Sequence, residues 1–223
     1  MAGPGVSVPS TQGALWILVR GDDRTTAFDR TKSIQATMGP AFVFGDAVDT
    51  FNYAGGRDLS GYVDGTANPT PEDSAALAIV PGGQAHAGSS FVAVQRWRHD
   101  LGQFARHPQG ERDAMIGRRL SDNEEIAEAP DTAHVKRTAQ ELFDPPTFLV
   151  RRSMPWENGA EHGLEFIAYG NTLDRFERIL RRMCGLDDGI VDALFRFSRP
   201  TGGSYYWCPP LARDRLDLSA LGL

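Results

Sequence analysis

Hydrophobic and polar positions alternate most cleanly in Phe91-Val-Ala-Val-Gln-Arg-Trp97, which sets Phe91, Ala93, Gln95 and Trp97 on one face and Val92, Val94 and Arg96 on the other. Both faces carry apolar side chains, so this segment is expected to be a strand covered on both sides. Residues 147–151 and 164–169 read as two further strands, and 204–207 as a final aromatic one. Between them the period changes. Leu173, Phe176, Ile179, Leu180 and Met183 recur at helical spacing, with Asn171 or Thr172 placed to cap the start and Gly185 in the C′ position. Shorter helices are expected over 101–106, 110–118 and 190–197. The resulting β-α-β-β-α-β order is the ferredoxin-like pattern, an α+β architecture with antiparallel sheets.

Ahead of this unit, residues 15–20 read as a strand, 25–38 as a helix, and 41–53 as one or two strands. That is half of the same unit. The expected organisation is a partial N-terminal ferredoxin-like domain (1–60), a linking loop (61–88) and a C-terminal ferredoxin-like domain (89–223). An incomplete sheet leaves an edge, and an exposed edge invites a partner strand, so self-association as a homo-oligomer, most simply a dimer, is expected. The stretch between Asp64 and Phe91 is rich in Pro, Gly, Ala and Ser with little periodicity, as in long functional loops. The Gly-, Pro- and Ser-rich first dozen residues are the expected disordered part.

Composition narrows the partners. The chain of 223 residues carries a formal net charge of −6, which argues against a nucleic-acid-binding surface. Arg178, Arg181 and Arg182 are expected to form a solvated helix face. The apolar run Ala14-Leu-Trp-Ile-Leu-Val19 is too short to span a bilayer and lacks the flanks of a signal peptide, so the expected setting is cytoplasmic, with no membrane partner. Cys184 and Cys208 show neither metal-ligand nor redox-pair spacing and are read as reduced thiols.

The candidate chemistry lies in Gly61-Tyr-Val-Asp-Gly-Thr-Ala-Asn-Pro69, where a run of turn-forming residues places Asp64 on a bend facing a cavity. A lone Asp-Gly is a common turn. Its company is more specific: Thr132-Ala-His134, and Phe148-Leu-Val-Arg-Arg-Ser-Met-Pro-Trp156, whose Arg151 follows His134 by 17 positions. Asp64, His134 and Arg151, in this order, resemble the distal aspartate, proximal histidine and distal arginine of the dye-decolourising peroxidases. Arg57-Asp-Leu-Ser-Gly-Tyr-Val-Asp-Gly-Thr, Val92-Ala-Val-Gln-Arg-Trp97, Ile116-Gly-Arg118, Asn123-Glu-Glu-Ile126 and Gly203-Ser-Tyr-Tyr206 also resemble blocks of that family, in its bacterial B-type, porphyrinogen-peroxidase-like branch.

The resemblance implies a haem b cofactor held by His134, with Arg118 facing a haem propionate and the Gly65–Asn68 segment beside the cofactor. It implies that Asp64 shuttles a proton between the oxygens of hydrogen peroxide while Arg151 stabilises the charge that develops. Ser153 stands where many B-type members have asparagine and is expected to position water or a propionate. Arg137 and Arg152 are secondary candidates. Small aromatic reductants such as dyes, phenols or porphyrinogens are the implied electron donors. Trp97, Trp156, Tyr205, Tyr206 and Trp207 are relay candidates whose default role is packing.

Two positions depart from the family pattern. Ala67 replaces a glutamate of the loop, and Arg196 stands where some B-type relatives have an aspartate that hydrogen-bonds the proximal histidine. Unless another acid such as Asp192 takes over, His134 is expected to be a weaker donor and the ferric/ferrous potential raised. The alternative readings are a haem-handling protein with little turnover and a ferredoxin-like module that binds no haem.

Overall fold

The computed structural model describes residues 1–222. Its elements in chain order are β1 (Ala2–Gly3), β2 (Val6–Ser7), α1 (Arg24–Met38), α2 (Pro71–Ala78), β3 (Ser90–His99), α3 (Leu101–Ala105), α4 (Gln109–Ile116), α5 (His134–Arg137), β4 (Val150–Asn158), β5 (Glu161–Gly170), α6 (Asp174–Met183), β6 (Ser198–Cys208), β7 (Leu211–Ala212) and β8 (Arg215–Leu216). Short 3-10 turns occupy Gln140–Leu142, Ala193–Arg196 and Ser219–Leu221.

The central sheet runs β4-β5-β3-β6, with every neighbouring pair antiparallel. This is the ferredoxin-like order. β3 sits inside it as the sequence pattern requires: Val92 and Ala93, on opposite faces, are both 0% exposed. Register pairs Ala93 with Ala168, and Ala168 with Arg151. Cross-strand partners share a face, so Arg151 and, two residues on, Ser153 lie on the face of Ala93, Phe166 and Ala168. That face is covered by α6, whose Phe176, Ile179, Leu180 and Met183 join Ala93, Trp97, Leu149 and Ala168 in the main core. Full burial of a side chain such as Leu149 contributes roughly 1.5–3 kcal/mol.

The helix α6 ends as its sequence predicts. Gly185, at φ +69, donates to Arg182 O, and Leu186 donates to Arg181 O, so the two bonds close a Schellman cap. Its start differs: Leu173 occupies the cap position, and Thr172 contributes its hydroxyl as acceptor for the Asp174 N–H at 3.2 Å. Of the three arginines expected to form a solvated face, Arg181 is exposed and pairs with Asp187 at 3.3 Å, whereas the other two lie against neighbouring structure. Arg182 stacks on the Phe143 ring at 3.4 Å, and Arg178 donates to the carbonyls of Asp144 and Pro145.

Other expectations shift by segment. Residues 147–149 precede β4 and stay out of the ladder, because the N–H groups of Thr147 and Leu149 are taken by Gln140. The stretch read as irregular contains α2, started by Thr70, whose hydroxyl accepts from Asp73 N, with Pro71 in the first turn. The first dozen residues are ordered against β6: Thr11 N donates to Gly203 O, and the Gln12 amide exchanges two 2.8 Å bonds with the Tyr205 backbone. The β6 edge is therefore blunted by the chain's own N-terminal segment.

Two compact units are distinguished, residues 13–49 and a larger one formed by 1–12 with 50 onward. In the smaller unit, α1 is capped by Asp23 but buries none of its residues. The strands expected at 15–20 and over 41–49 do not form. Leu15, Ile17, Phe42, Val43 and Phe44 are exposed, and an apolar run without a neighbouring strand gains neither ladder bonds nor a covered face. In the larger unit, Thr50 makes only an isolated bridge to Trp156.

Candidate active site

His134 begins α5, directly after the fully buried Ala133. Gly117, at φ +93, lets the preceding chain approach this turn; a Cβ there would lie 2.3 Å from Val135 Cγ2. The imidazole Nδ1 lies 2.8 Å from Asp192 Oδ2, and the Asp192 side chain is 0% exposed. The second oxygen, Oδ1, accepts from Leu194 N at 2.8 Å. With both carboxylate oxygens engaged, Asp192 fixes the Nδ1–H tautomer and leaves Nε2 as the ring's lone-pair donor.

Asp192 thus supplies the acid that Arg196 does not, so the condition attached to a weaker His134 donor and a raised potential is not met. Sequence alone named Asp192 without being able to place it. Burial pulls the His134 pKa down, but the charge and hydrogen bond of Asp192, helped by Asp64 and opposed by Arg151, raise it above the ordinary histidine value. The ring keeps 30% of its surface accessible although it lies deep in the fold, as expected of a side chain lining a cavity.

Arg151 faces the same region from β4. Burial lowers its pKa, with Asp64 and Glu141 opposing the shift. Its guanidinium finds no partner among the described residues, and Nε is buried without a hydrogen bond. Asp64 lies on the exposed loop, where Oδ1 accepts from Gly65 N at 2.6 Å and its own N–H donates to Gly56 O. The two opposite charges act on each other and on His134 without closing into an ion pair. Ser153 shares the sheet face of Arg151.

Asn68 is engaged with the backbone of Arg151. Its side-chain amide donates to Arg151 O at 2.8 Å and accepts from Arg151 N at 2.9 Å, so it clamps the arginine's backbone. Gly65, at φ +73, supplies the left-handed bend between Asp64 and this clamp. Gln140, which the sequence reading missed, completes the support. It is 2% exposed, donates to Ala67 O at 3.3 Å and accepts from Leu149 N at 2.7 Å. Only burial marks it, and a single glutamine in a polar stretch gives no sequence signal.

The start of the loop is tied down separately. Tyr62, 4% exposed, donates its hydroxyl to Asp113 on α4. Asp58 accepts from Ser60 and lies 3.0 Å from His99 Nε2, while His99 Nδ1 meets Ser198 Oγ at 2.7 Å.

Arg118 is not open as expected. It donates to Asn123 O at 3.0 Å and pairs with Glu125 at 2.9 Å, leaving only a buried Nε without a partner. Arg137 is consumed by a two-point pair with Asp188, and Arg152 is exposed beside Met154. Trp97 and Trp156 are buried and hydrogen-bonded to Gln95 and to Trp97 O, so both are accounted for as packing.

A family model described as "Dyp-type peroxidase, C-terminal" matches residues 55–213, the span that carries every residue of this constellation. The chain belongs to the Dyp-type peroxidase family. The dye-decolorizing peroxidase of Mycobacterium tuberculosis is 32% identical over 97% of this chain and 66% of its own length. That of Brevibacterium linens is 30% identical over 95% of the chain and 59% of its own length. The chain therefore spans less than two thirds of these curated relatives. Among solved Dyp-type structures, DyPB from Rhodococcus jostii RHA1 matches with a TM-score of 0.88 at 31% identity, covering 94% of this chain and 70% of that one. The dye-decolorizing peroxidase of Bacteroides thetaiotaomicron gives 0.87 at 29%, covering 94% and 69%. Variants of the Rhodococcus protein are described in complex with heme, and another with manganese.

Proposed function

We propose that this chain carries the haem site of a hydrogen-peroxide-dependent peroxidase, with haem b as cofactor and small aromatic molecules (dyes, phenols or porphyrinogens) as electron donors. The observation that carries the proposal is the approach to one another of His134, held by Asp192, Asp64 and the guanidinium of Arg151, which has no partner among the described residues, closely enough for their charges to act on each other. This donor set fits an iron porphyrin: one neutral imidazole nitrogen on one side, and a carboxylate and guanidinium left free for a small polar ligand. Bound haem supplies the electrons that cleave the peroxide bond and then regains them singly from the reductant.

The chain's own residues do the rest. His134 offers Nε2 while Asp192 holds the proton on Nδ1. The Asp64 carboxylate takes a proton from one oxygen of hydrogen peroxide and delivers it to the other. Arg151 balances the negative charge on the departing oxygen without titrating. Arg118 would meet a propionate of bound haem by exchanging Glu125 for it. Ser153, on the face of Arg151, positions water. The reading includes a cytoplasmic setting; among the described residues no helix is long and apolar enough to cross a membrane. It also includes self-association, supported by the exposed Phe42, Val43 and Phe44, and a monodisperse monomer in sedimentation would remove that part.

The test is a haemin titration of the purified chain followed by a peroxide pulse, for wild type and His134→Ala. One haem per chain with a sharp Soret band, lost in the variant and shifted by peroxide, is the expected result. Haem binding without a peroxide response would favour a haem-handling role, and no Soret band would reject the proposal.

A further inference from the structure

A second cavity opens at the opposite end of the central sheet. Arg151 pairs with Ala168, and His162 lies six residues beyond Ala168 along β5, so the two ends are about 20 Å apart at ~3.3 Å per residue. The cavity has a volume of about 350 Å³ and is lined by Arg98, Arg196, Arg199 and His162, with Leu101 and Phe197 among its apolar walls. None of these residues is used by the peroxide chemistry above.

The charge arrangement there is one-sided. Glu161 and Asp100 also line the cavity, but Glu161 is engaged by Arg98 at 2.7 Å, and Asp100 Oδ1 accepts from Gln103 N at 2.8 Å. His99, the other titratable group, is spent on Ser198 and Asp58. Among the described residues, Arg196 and Arg199 have no acid and no hydrogen-bond acceptor, and His162 Nε2 is buried without a partner. Two unpartnered guanidiniums and an orphaned imidazole nitrogen around one void are unusual in a chain of net charge −6.

We infer that this cavity binds an organic oxyanion, specifically a carboxylate on an aromatic or similarly apolar frame. Guanidinium groups pair with carboxylates through two parallel hydrogen bonds, and the free His162 nitrogen adds a third polar point. The volume falls in the range of small organic ligands, above what a bare inorganic ion fills. Leu101 and Phe197 give the frame an apolar surface. The site is separate from the haem cavity, and the inference holds whether or not haem is bound.

Calorimetric titration of the full chain with isophthalate, inorganic phosphate and neutral benzamide tests it. Isophthalate is expected to bind most tightly, and more weakly as salt is raised. The Arg196→Gln/Arg199→Gln variant, altered at two sites outside the core, is expected to lose about tenfold or more in affinity. Arg215→Gln removes a charge elsewhere and is expected to leave binding unchanged. Absence of isophthalate binding, benzamide binding equally well, or an unaltered double variant would overturn the site. Phosphate binding as tightly as isophthalate would overturn the assignment to an organic ligand.

Discussion

His134 is held by one buried carboxylate, Asp192, on rigid structure, whereas Asp64 rides on an exposed loop whose place is set by two amides, Asn68 and Gln140. The histidine side concentrates its control in a single charged hydrogen bond, so its chemistry and its geometry are set by the same atom pair. The aspartate side separates them. Other residues do the anchoring of the loop, which under the proposed function leaves the Asp64 carboxylate to its proton transfer. Arg151 stands between the two, positioned through its backbone by the loop and through its strand by the sheet.

Substitutions should break the two sides in different ways. The largest effect is expected for Asp192→Asn, which keeps the shape but removes the charge: haem affinity falls about 10–100-fold, with a raised ferric/ferrous potential, read by competitive haemin transfer and spectroelectrochemistry. Gln140→Leu strands the buried N–H of Leu149 and releases the Ala67 carbonyl of the loop, costing about 1–3 kcal/mol in urea unfolding and slowing the peroxide response. Asn68→Ala sits at an exposed site and is expected to cost only about 1 kcal/mol of stability. Its signature is a slower peroxide response in stopped flow with haem affinity unchanged; a loss of haem affinity equal to that of Asp192→Asn would erase the distinction between the sides.

The smallest effect concerns pH. Burial alone would raise the Asp58 pKa, but the hydrogen bond and charge of His99, with two bonds from Ser60, bring it below the ordinary carboxylate value. A depressed carboxyl stabilises the fold above its unfolded pKa and loses that contribution as pH falls through the folded value. Asp58→Asn is therefore expected to flatten the acid limb of the thermal midpoint measured from neutral to about pH 3.

The sequence made the histidine side easier to find than to explain. His134, Asp64 and Arg151 stand in recognisable blocks, yet the proton acceptor behind His134 comes from a residue 58 positions away, which only packing brings in. β3 and α6 were legible because each carries a clean period over its whole length. Residues 15–20 and 41–49 carry strand-like apolar runs without becoming strands, since a ladder needs a neighbour that local pattern cannot supply. Thr70-Pro-Glu-Asp73 did announce a helix start, but the Gly- and Pro-rich surroundings obscured it. Arg118 fitted its family role by position, while its partner Glu125 became visible only in three dimensions.

The Asn68 amide, with one donor and one acceptor facing the Arg151 backbone, imitates a peptide unit of a neighbouring strand. It acts as a one-rung extension of the sheet made from a side chain. Together with Gln140, which holds only the backbone carbonyl of Ala67, it leaves the Ala67 side chain relieved of anchoring, and the glutamate-to-alanine difference falls at that tolerant position. The side chain there can change while the register of the loop stays fixed.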